Sequence, residues 1–513
     1  MNLKLILTSA LMFVMLQANF ARNYYAAPNG TGNGQSIDTP CSIASGISKS
    51  DVDTLFLRGG QYNLTSTLTF NTTGTAVSRK AIMAYADEKP VLDFRAQAYG
   101  SRGVRFYGNY LHAKGITICY TGKNGFYVEA SNSIFENCET YGNGDTGFQT
   151  KNCSGNLIKN CDSHHNFDYQ TGSITNPDFG GNADGFADKQ YTNNGEPNVF
   201  DGCRAWANAD DGWDFYQKVG SSSIKNSICY QNGPAKYDMS EHPRLQTDHV
   251  WFNQFPITIG STTITLENYK NYGNGNGFKL GGDGTAHNIT LTNCLSVGNR
   301  VKGFDQNNNN GTMTVYNCSG YGNNPDYGFN NGSNGVLTIK NCLTLASKSS
   351  NKFSSRTVTN QYNSWNISGL TCTAADFVSL DTTVLMSARQ VSGDLPVLDL
   401  MKLVESSDLI DAGVDVGLPF NGAAPDLGCY ESIFSTTAID NVGAVDLKII
   451  RTNKKIVVQD ADIRQIAIFD LAGKEIACAD GNSISIAQIN KGICLLKIKT
   501  LDNNFISKKL LID

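Results

Sequence analysis

Short segments with alternating hydrophobic and polar residues recur along the middle of the chain. Three of them are Ile289-Thr-Leu-Thr-Asn-Cys294, Met313-Thr-Val-Tyr-Asn-Cys318 and Leu337-Thr-Ile-Lys-Asn-Cys342, whose cysteines follow one another at intervals of 24 residues. Strict alternation over a few residues predicts a strand with one buried face. A repeat of this length is typical of a solenoid, in which stacked turns share one core.

A glycine followed by an aromatic residue forms the second half of the repeat. From Phe126 to Phe148 the interval is 22 residues, from Phe278 to Phe304 it is 26, and from Phe304 to Phe329 it is 25. The Leu-x-x-Leu-x-Leu pattern of leucine-rich repeats is absent, and propeller blades are longer. The pattern therefore predicts an all-β protein built on a right-handed parallel β-helix, with its regular turns in residues 101–345.

The rest of the chain is less regular and completes the predicted domain plan. Residues 22–100 read as the first turns, so that the β-helix domain covers 22–432. Residues 433–442 read as a linker. The tail, 443–513, has alternating strands separated by turns, which predicts a small C-terminal β-sandwich.

Residues 1–21 read as a secretory signal peptide. Lys4 precedes an apolar run from Leu5 to Leu16, and Ala18 and Ala21 offer small residues for cleavage. The run is too short to cross a bilayer, and no later stretch is long enough. We therefore expect a secreted protein, in the medium, on the cell surface or in the periplasm of a Gram-negative bacterium, with no membrane span.

Composition narrows the class of partner. Of 513 residues, 17% are charged and 51 are glycine, and the net charge is −5 without long charged runs, which favours neither nucleic acid nor an anionic membrane. The 14 cysteines could form disulfides in an exported protein. Their regular spacing instead predicts small buried hydrophobes in the repeat. We expect a monomer.

Four aspartates lie in two short glycine-containing segments, Asn182-Ala-Asp-Gly-Phe186 and Asp210-Asp-Gly-Trp-Asp214. If the aromatic residue of each turn points inward, Asp184 and Asp211 become neighbours on successive turns, about 4.8 Å apart. Carboxylates this close repel one another unless a cation is bound, and oxygen ligands favour Ca²⁺. The alternative is that these aspartates only form turns.

Lys279 would lie beside Asp214 if the interval of 65 residues from Asp214 to Lys279 is one expanded turn. A bound Ca²⁺ would lower the pKa of this lysine and make it a proton acceptor. The alternatives are an ordinary ion pair and a solvated surface lysine. The expanded turn contains an excursion around Tyr237–Phe255, which either contacts substrate or is decoration.

Four runs resemble polysaccharide lyase family 9, the pectate and rhamnogalacturonan lyases. They are Gly181-Asn-Ala-Asp-Gly-Phe186, Asn198-Val-Phe-Asp-Gly-Cys-Arg-Ala-Trp206, Asp210-Asp-Gly-Trp-Asp214 and Gly275-Asn-Gly-Phe-Lys-Leu280. The resemblance implies cleavage of a pectic polysaccharide by Ca²⁺-assisted β-elimination, leaving a 4,5-unsaturated uronate. It leaves open whether the substrate is polygalacturonate or rhamnogalacturonan.

The resemblance also implies roles for individual residues. It makes Lys279 the base and Asp184, Asp210, Asp211 and Asp214 the calcium ligands, with the Ala187 carbonyl as an additional candidate. Arg204, Lys189, Arg300 and Lys302 are candidate contacts for substrate carboxylates, for which ordinary surface charge is the alternative.

Two further alternatives and one further resemblance remain. A β-helix hydrolase of the polygalacturonase type would use carboxylates around a water without a metal. A non-catalytic glycan-binding β-helix would use calcium only as structural support. The tail, with Lys491-Gly-Ile-Cys-Leu-Leu-Lys497, resembles the C-terminal sorting domains of type IX secretion.

Overall fold

The computed structural model describes part of the chain and divides it into two compact units, Met1–Thr436 and Thr437–Asp513. The described residues are 21–512 without 170–171, 174–175, 178–179, 190–194, 234–255, 266–272, 331–333, 355–356, 435–447, 453, 460–462, 471–473, 490–491 and 502–504. Most of the predicted signal peptide and linker, and the excursion around 237–255, lie outside these residues.

Three long parallel sheets make up the first unit within the described residues. Sheet 1 has twelve strands: Asn23–Ala26, Thr54–Leu57, Lys80–Ala84, Leu111–Lys114, Ile134–Glu136, Leu157–Lys159, Asn198–Asp201, Gly220–Lys225, His287–Thr292, Thr312–Tyr316, Val336–Lys340 and Thr357–Gln361. Sheet 2 has ten: Leu68–Asn71, Val104–Tyr107, Phe126–Val128, Phe148–Lys151, Phe186–Lys189, Trp213–Asp214, Phe278–Lys279, Phe304–Asp305, Tyr327–Phe329 and Lys352–Phe353.

Sheet 3 also has ten described strands: Gly60–Asn63, Pro90–Asp93, Thr117–Cys119, Glu139–Tyr141, Asp162–His164, Arg204–Trp206, Ile228–Tyr230, Leu295–Val297, Ser319–Tyr321 and Leu343–Leu345. The chain visits the three sheets in turn, so each coil adds one strand to each sheet. Additional short elements are the α-helix Ile43–Ile47, the 3₁₀-helices Ala374–Asp376 and Thr382–Met386, and the hairpins Gly172–Ser173 with Asn176–Pro177 and Ile257–Ile259 with Thr262–Ile264.

Aromatic rings stacked along the inner face of sheet 2 fill much of the core. Phe186, Trp213, Phe278 and Phe304 are fully buried, and successive ring centroids lie 4.8 to 5.1 Å apart. Such offset stacks add to the free energy gained by burial. Because these residues point inward, their neighbours in the strand point outward, as predicted.

The register of the last aromatic turn differs from the prediction. Phe304 pairs with Tyr327, whereas the spacing of Gly-aromatic pairs predicted Phe329, two residues further on. The Tyr327 ring stacks on Phe304 at 4.9 Å, and its hydroxyl oxygen lies 2.8 Å from the carbonyl oxygen of Cys318 and 3.0 Å from that of Leu343, so that its one hydrogen is shared between them. A tyrosine without a preceding glycine therefore continues the stack.

The cysteines are free, and those of the repeated Asn-Cys pairs are buried, as predicted from their spacing. The asparagine of each pair lies in the left-handed region, with φ of 49° at Asn317 and 57° at Asn341. Asparagine tolerates this conformation better than most residues do. Gly202 takes the same place before Cys203, with φ of 65°.

A second asparagine, six residues after these left-handed positions, forms a continuous chain of side-chain hydrogen bonds. Each Nδ2 donates to the Oδ1 of the next coil at 2.7 to 2.9 Å, and the last one donates to Asp326. The buried members of this asparagine ladder are Asn143, Asn166, Asn208, Asn232, Asn299 and Asn323. The ladder satisfies polar groups at the bend after sheet 3.

An irregular segment, residues 370–430, covers the outer face of sheet 3. Its apolar side chains, including Leu385 and Leu400, share a core with Trp206 and Tyr230 of that sheet. Arg389 of the segment forms an ion pair with the buried Asp162 of sheet 3, and Arg204 of sheet 3 donates hydrogen bonds to carbonyls of the segment, which together hold it in place. The acidic residues of the predicted site lie on a different face, the outer face of sheet 2.

The second unit is a small antiparallel β-sandwich, as predicted. One sheet contains Lys448–Arg451, Lys455–Gln459 and Ser483–Ser485, and the other contains Ile463–Phe469, Glu475–Asp480, Gly492–Thr500 and Phe505–Ile512. Residues of both sheets, among them Ile456, Ile466 and Leu496, form one hydrophobic core. No helix among the described residues of either unit is long and apolar enough to cross a membrane.

Candidate active site

The outer face of sheet 2 carries the predicted site in two adjacent columns. In the first column Ala187 pairs with Asp214, and Asp214 pairs directly with Lys279. This register confirms that the residues between Asp214 and Lys279 form one expanded turn. In the second column, at the bend that enters the sheet, the Gly185 N–H donates to the Asp211 carbonyl and the Gly212 N–H to that of Asn276. Asp184, Asp211 and Asn276 therefore follow one another on successive coils.

The structure brings the predicted carboxylates together in a buried cluster. Asp184, Asp210 and Asp211 each offer an oxygen, and these three oxygens lie within 4.8 Å of one another. Asp214 is also buried, at 2% exposure. Burial together with the neighbouring carboxylates raises the pKa of Asp184 to about 7 and also raises the pKa values of Asp210 and Asp211.

Two lysines enter the cluster. Lys279 Nζ lies 3.0 Å from Asp211 and 3.1 Å from Asp214. Lys189 Nζ lies 2.9 Å from Asp184 and 2.6 Å from Asp214. Burial alone would raise the pKa of Asp214, but Lys189 and Lys279 outweigh it and hold that pKa below its usual range.

The pKa of Lys279 reflects the same opposition of burial and charge. Burial favours the neutral amine, but the charges of Asp211, Asp214 and Asp210 are stronger and raise the pKa of Lys279 above its usual value. While the two lysines are the only cations beside these carboxylates among the described residues, Lys279 is an ammonium group. It can accept a proton only when the negative field of the cluster is reduced.

The donor set of the cluster fits a hard divalent cation. Four carboxylates face two lysines, so the cluster has two more acidic than basic groups. Asp211 Oδ2 is buried, and Lys279 Nζ lies 3.0 Å from it. Oxygen-only ligands are those that Ca²⁺ takes in proteins. Asp184, Asp210, Asp211 and Asp214 are the residues that would hold it.

The Ala187 carbonyl, the additional candidate ligand, has a hydrogen-bond partner in the protein. It accepts a hydrogen bond of 3.1 Å from Thr150 Oγ1, and Thr150 belongs to the preceding coil. This contact directs the carbonyl oxygen towards the preceding coil, whereas Asp214 lies on the following one. A carbonyl oxygen has two lone pairs, so the role of Ala187 as an additional ligand stays a prediction.

The four predicted substrate contacts occupy three different environments. Lys189 lies inside the cluster. Arg300 and Lys302 line a cavity of about 370 Å³ with Asn274 and Asn276, on the C-terminal side of the cluster. Arg204 lies in sheet 3, where it pairs with Asp162 and donates to the carbonyls of Leu385 and Ser387. Its placement beside the site is corrected: Arg204 fastens the 370–430 segment.

Two neutral residues support the carboxylates and were not assigned a role from sequence. Thr146 Oγ1 donates to Asp184 at 2.9 Å, and Asn276 donates to Asp211 through both its backbone N–H and its Nδ2. Both residues occupy the column of Asp184 and Asp211. Their position in that column is the signal that identifies them.

Comparison with known proteins places the chain in a family. Residues 24–351 match the family described as Pel9A-like, right handed beta helix region. Pectate lyase L of Paenibacillus polymyxa is 35% identical over 77% of this chain and 85% of its own length. Pectate lyase L of Dickeya chrysanthemi is 33% identical over 80% of this chain and 90% of its own.

A solved structure agrees with these relatives. The crystal structure of pectate lyase Pel9A superimposes with a TM-score of 0.66 at 32% sequence identity, covering 80% of this chain and 96% of that one. Fold and site thus define a right-handed parallel β-helix enzyme, a carbon–oxygen lyase acting on polysaccharides. The chain belongs to the Pel9A-like β-helix family, polysaccharide lyase family 9.

Proposed function

We propose that this protein is a calcium-dependent lyase that cleaves galacturonate-containing pectic chains. The observation that carries the proposal is the buried cluster of four aspartates with Lys279 beside Asp211 and Asp214. Its support from relatives is that the proteins at 33% and 35% identity are named pectate lyases. The hydrolase alternative lacks such support.

The substrate would lie on the outer face of sheet 2, with a uronate next to the carboxylate cluster. Bound Ca²⁺ would supply positive charge that offsets the aspartates, lowers the pKa of Lys279 and stabilises the negative charge developing on the uronate. Lys302 and Arg300 line the adjoining cavity and offer cationic groups to neighbouring carboxylates.

Lys279 then acts as the base of a β-elimination. Its neutral amine takes the C5 proton of the uronate, the electron pair of that C–H bond forms the C4–C5 double bond, and the C4–O glycosidic bond breaks. The departing oxygen takes up a proton, so the products are a new chain end and a 4,5-unsaturated uronate. A base in this position contributes about 10²- to 10⁴-fold to the rate.

Lys279 is preferred to Lys189 as the base because of its position in sheet 2. It pairs in register with Asp214, and Phe304 stacks on its neighbour Phe278, so its backbone is fixed on both sides. Lys189 contacts Asp184 and Asp214. We assign Lys189 the role of balancing charge within the cluster and contacting the uronate.

The proposal extends to the location and state of the protein. We propose export directed by residues 1–21, action as a monomer and a sorting role for the C-terminal sandwich. Detection of the mature protein outside the cytoplasm, with a new N-terminus near Ala21, would test the first of these. Retention of the full-length chain inside cells would contradict it.

The decisive experiment measures the ultraviolet absorbance of unsaturated uronates on polygalacturonate and on rhamnogalacturonan, with Ca²⁺ or with a chelator. We expect a calcium-dependent rise on one of the two polymers, which would also identify the substrate. New reducing ends without that absorbance would indicate hydrolysis and contradict the mechanism. Absence of both signals would favour a binding module.

A further inference from the structure

The column that contains Asp184 and Asp211 continues towards the N-terminus and reaches Arg102 after three coils. The register runs from Val104 through Phe126 and Phe148 to Phe186, so the residue two places before each lies in one column. From the N-terminal side that column reads Arg102, Asn124, Thr146, Asp184, Asp211, Asn276 and Lys302. At about 4.8 Å per coil, Arg102 lies about 14 Å from Asp184.

Sequence reasoning missed Arg102 because its coil has no Gly-aromatic pair. Gly103 is followed by Val104, and Val104 nevertheless precedes Phe126 by the same 22 residues that separate Phe126 from Phe148. The interval is the signal that places this coil in the stack. The structure pairs Val104 with Phe126, which adds Arg102 to the column.

Arg102 is a positioned cation without an acidic partner among the described residues. Its guanidinium carbon lies 3.8 Å from the centroid of the Tyr127 ring, and Tyr127 belongs to the outward column of sheet 2. No hydrogen bond or ion pair engages the Arg102 side chain in the part of the chain that the structure describes, and its Nε is buried there without a partner.

Two acidic groups whose charges act on Tyr127, Glu129 and Asp145, have other partners. Glu129 forms an ion pair of 2.5 Å with Arg105, and Asp145 lies 3.4 Å from Lys123. Arg95 offers a direct contrast, because it also lies over a tyrosine ring, that of Tyr120, but pairs with Asp93 at 2.7 Å. Arg95 is satisfied by the protein, whereas Arg102 is left to an external anion.

An arginine held flat on an aromatic ring is well suited to bind a carboxylate. The ring fixes the guanidinium plane, the group is weakly hydrated, and its two edges can donate a pair of parallel hydrogen bonds. On the C-terminal side of the carboxylate cluster, Lys302 lies in the same column two coils beyond Asp211. Lys302 pairs with Asp305 at 2.8 Å. In this column, the cation without an acidic partner among the described residues is therefore Arg102, on the N-terminal side of the carboxylate cluster.

We propose that Arg102, supported by Tyr127, forms a distal subsite that binds the carboxylate of a uronate residue three coils from the carboxylate cluster. The inference rests on the proposed function for the identity of the polymer. It implies that the protein binds a second acidic sugar of the same polysaccharide chain. Long oligomers would therefore bind more tightly than oligomers too short to reach Arg102.

The test compares wild type, Arg102→Ala and Arg102→Lys on saturated oligogalacturonates of increasing length. We expect Arg102→Ala to raise KM about tenfold or more on long oligomers, with kcat retained, and to leave the shortest cleaved oligomers unaffected. Arg102→Lys should recover part of the loss, because it keeps the charge but not the paired donors. Arg95→Ala is the matched control and should behave as wild type.

A binding measurement separates failure of the subsite from failure of the proposed function. Calorimetric titration of a long oligogalacturonate into Lys279→Ala and into the same protein carrying Arg102→Ala should show weaker binding for the second. Equal affinities, or equal losses on short and long oligomers, would overturn the subsite even if wild type is an active lyase. If wild type cleaves no galacturonate polymer, the proposed function fails, and the two affinities still decide whether Arg102 binds the chain.

Discussion

One strand, Phe186–Lys189, contributes to two ionic clusters of opposite character. Asp188 points into the coil and forms an inner cluster with Lys218, Asn198 and Ser222, while Lys189 points outward into the carboxylate cluster. In the inner cluster one carboxylate meets one ammonium group at 2.8 Å and accepts two further hydrogen bonds. The inner cluster is thus balanced and saturated.

The outer cluster is not balanced in this way. Its four carboxylates share two lysines, and the pKa values of Asp184, Asp210 and Asp211 are raised by burial and by the neighbouring carboxylates. Burial is equal in the two places, since Asp184 and Asp188 both have no exposed surface. The two clusters therefore differ in their balance of charge and not in burial, and an uneven balance of this kind is the feature that points to the outer cluster as the candidate site.

The largest expected effect comes from removing the proposed base. Lys279→Ala should lower lyase activity about 10²- to 10⁴-fold while the circular dichroism spectrum stays that of wild type. Lys189→Ala, the matched control from the same cluster, should lose on the order of tenfold because it removes a charge contact and not the base. Equal losses in the two variants would remove the distinction between the lysines.

Breaking the inner cluster should affect stability and not chemistry. Lys218→Met leaves Asp188 as an uncompensated buried carboxylate, which costs about 3–5 kcal/mol of unfolding free energy. Urea denaturation measures this loss, and adding Asp188→Asn should restore part of it. Lys225→Met breaks an exposed pair with Asp201, 3.2 Å long, and should cost under about 1 kcal/mol. Similar losses in both would contradict the comparison.

His287, whose environment includes Asp188 and Lys218, should give the inner region a pH dependence. Burial lowers the pKa of His287 to about 4 from its usual 6.5. The folded protein therefore binds fewer protons than the unfolded chain between these values, and its unfolding free energy falls by about 3 kcal/mol as the pH drops from 6.5 to 4. His287→Gln should lack this contribution. Parallel pH profiles for the two proteins in urea denaturation would show that His287 is not responsible.

The smallest expected effect is on the unfolding free energy. Replacing one aspartate by asparagine should change it in opposite directions in the two clusters. Asp210→Asn should raise the unfolding free energy without calcium by about 1 kcal/mol at pH 8, because it removes a charge that burial and Asp211 disfavour. It should also reduce the rise in Tm that added Ca²⁺ produces in wild type. Asp188→Asn should lower stability and keep the calcium response. An unchanged calcium response in Asp210→Asn would argue against this residue as a ligand.

Local patterns were sufficient to predict the fold and the position of the carboxylate cluster. Inward Phe and Trp residues fixed which neighbours point outward, so Asp214 and Lys279 could be aligned across a gap of 65 residues. The last aromatic turn could not be aligned in this way, because Tyr327 and Phe329 are both buried aromatics and only the ring contact with Phe304 distinguishes them.

Long-range contacts explain the remaining differences. Arg204 looked like a groove residue because its motif adjoins the acidic segments, but Asp162 and the 370–430 segment, far away in sequence, hold it on sheet 3. The direction of the Ala187 carbonyl depends on Thr150 of the preceding coil. Such partners are set by the coil-to-coil stacking and cannot be read from residue type.

The asparagine ladder has a consequence for how this protein can change over time. Consecutive members are separated by as few as 23 residues, from Asn143 to Asn166, and as many as 67, from Asn232 to Asn299, yet the hydrogen bonds are 2.8 and 2.9 Å long. Chain can therefore be inserted between two members without altering the scaffold. The intervals between ladder members can thus vary in length while the coils stay in register, which offers protein engineers grafting points in this scaffold.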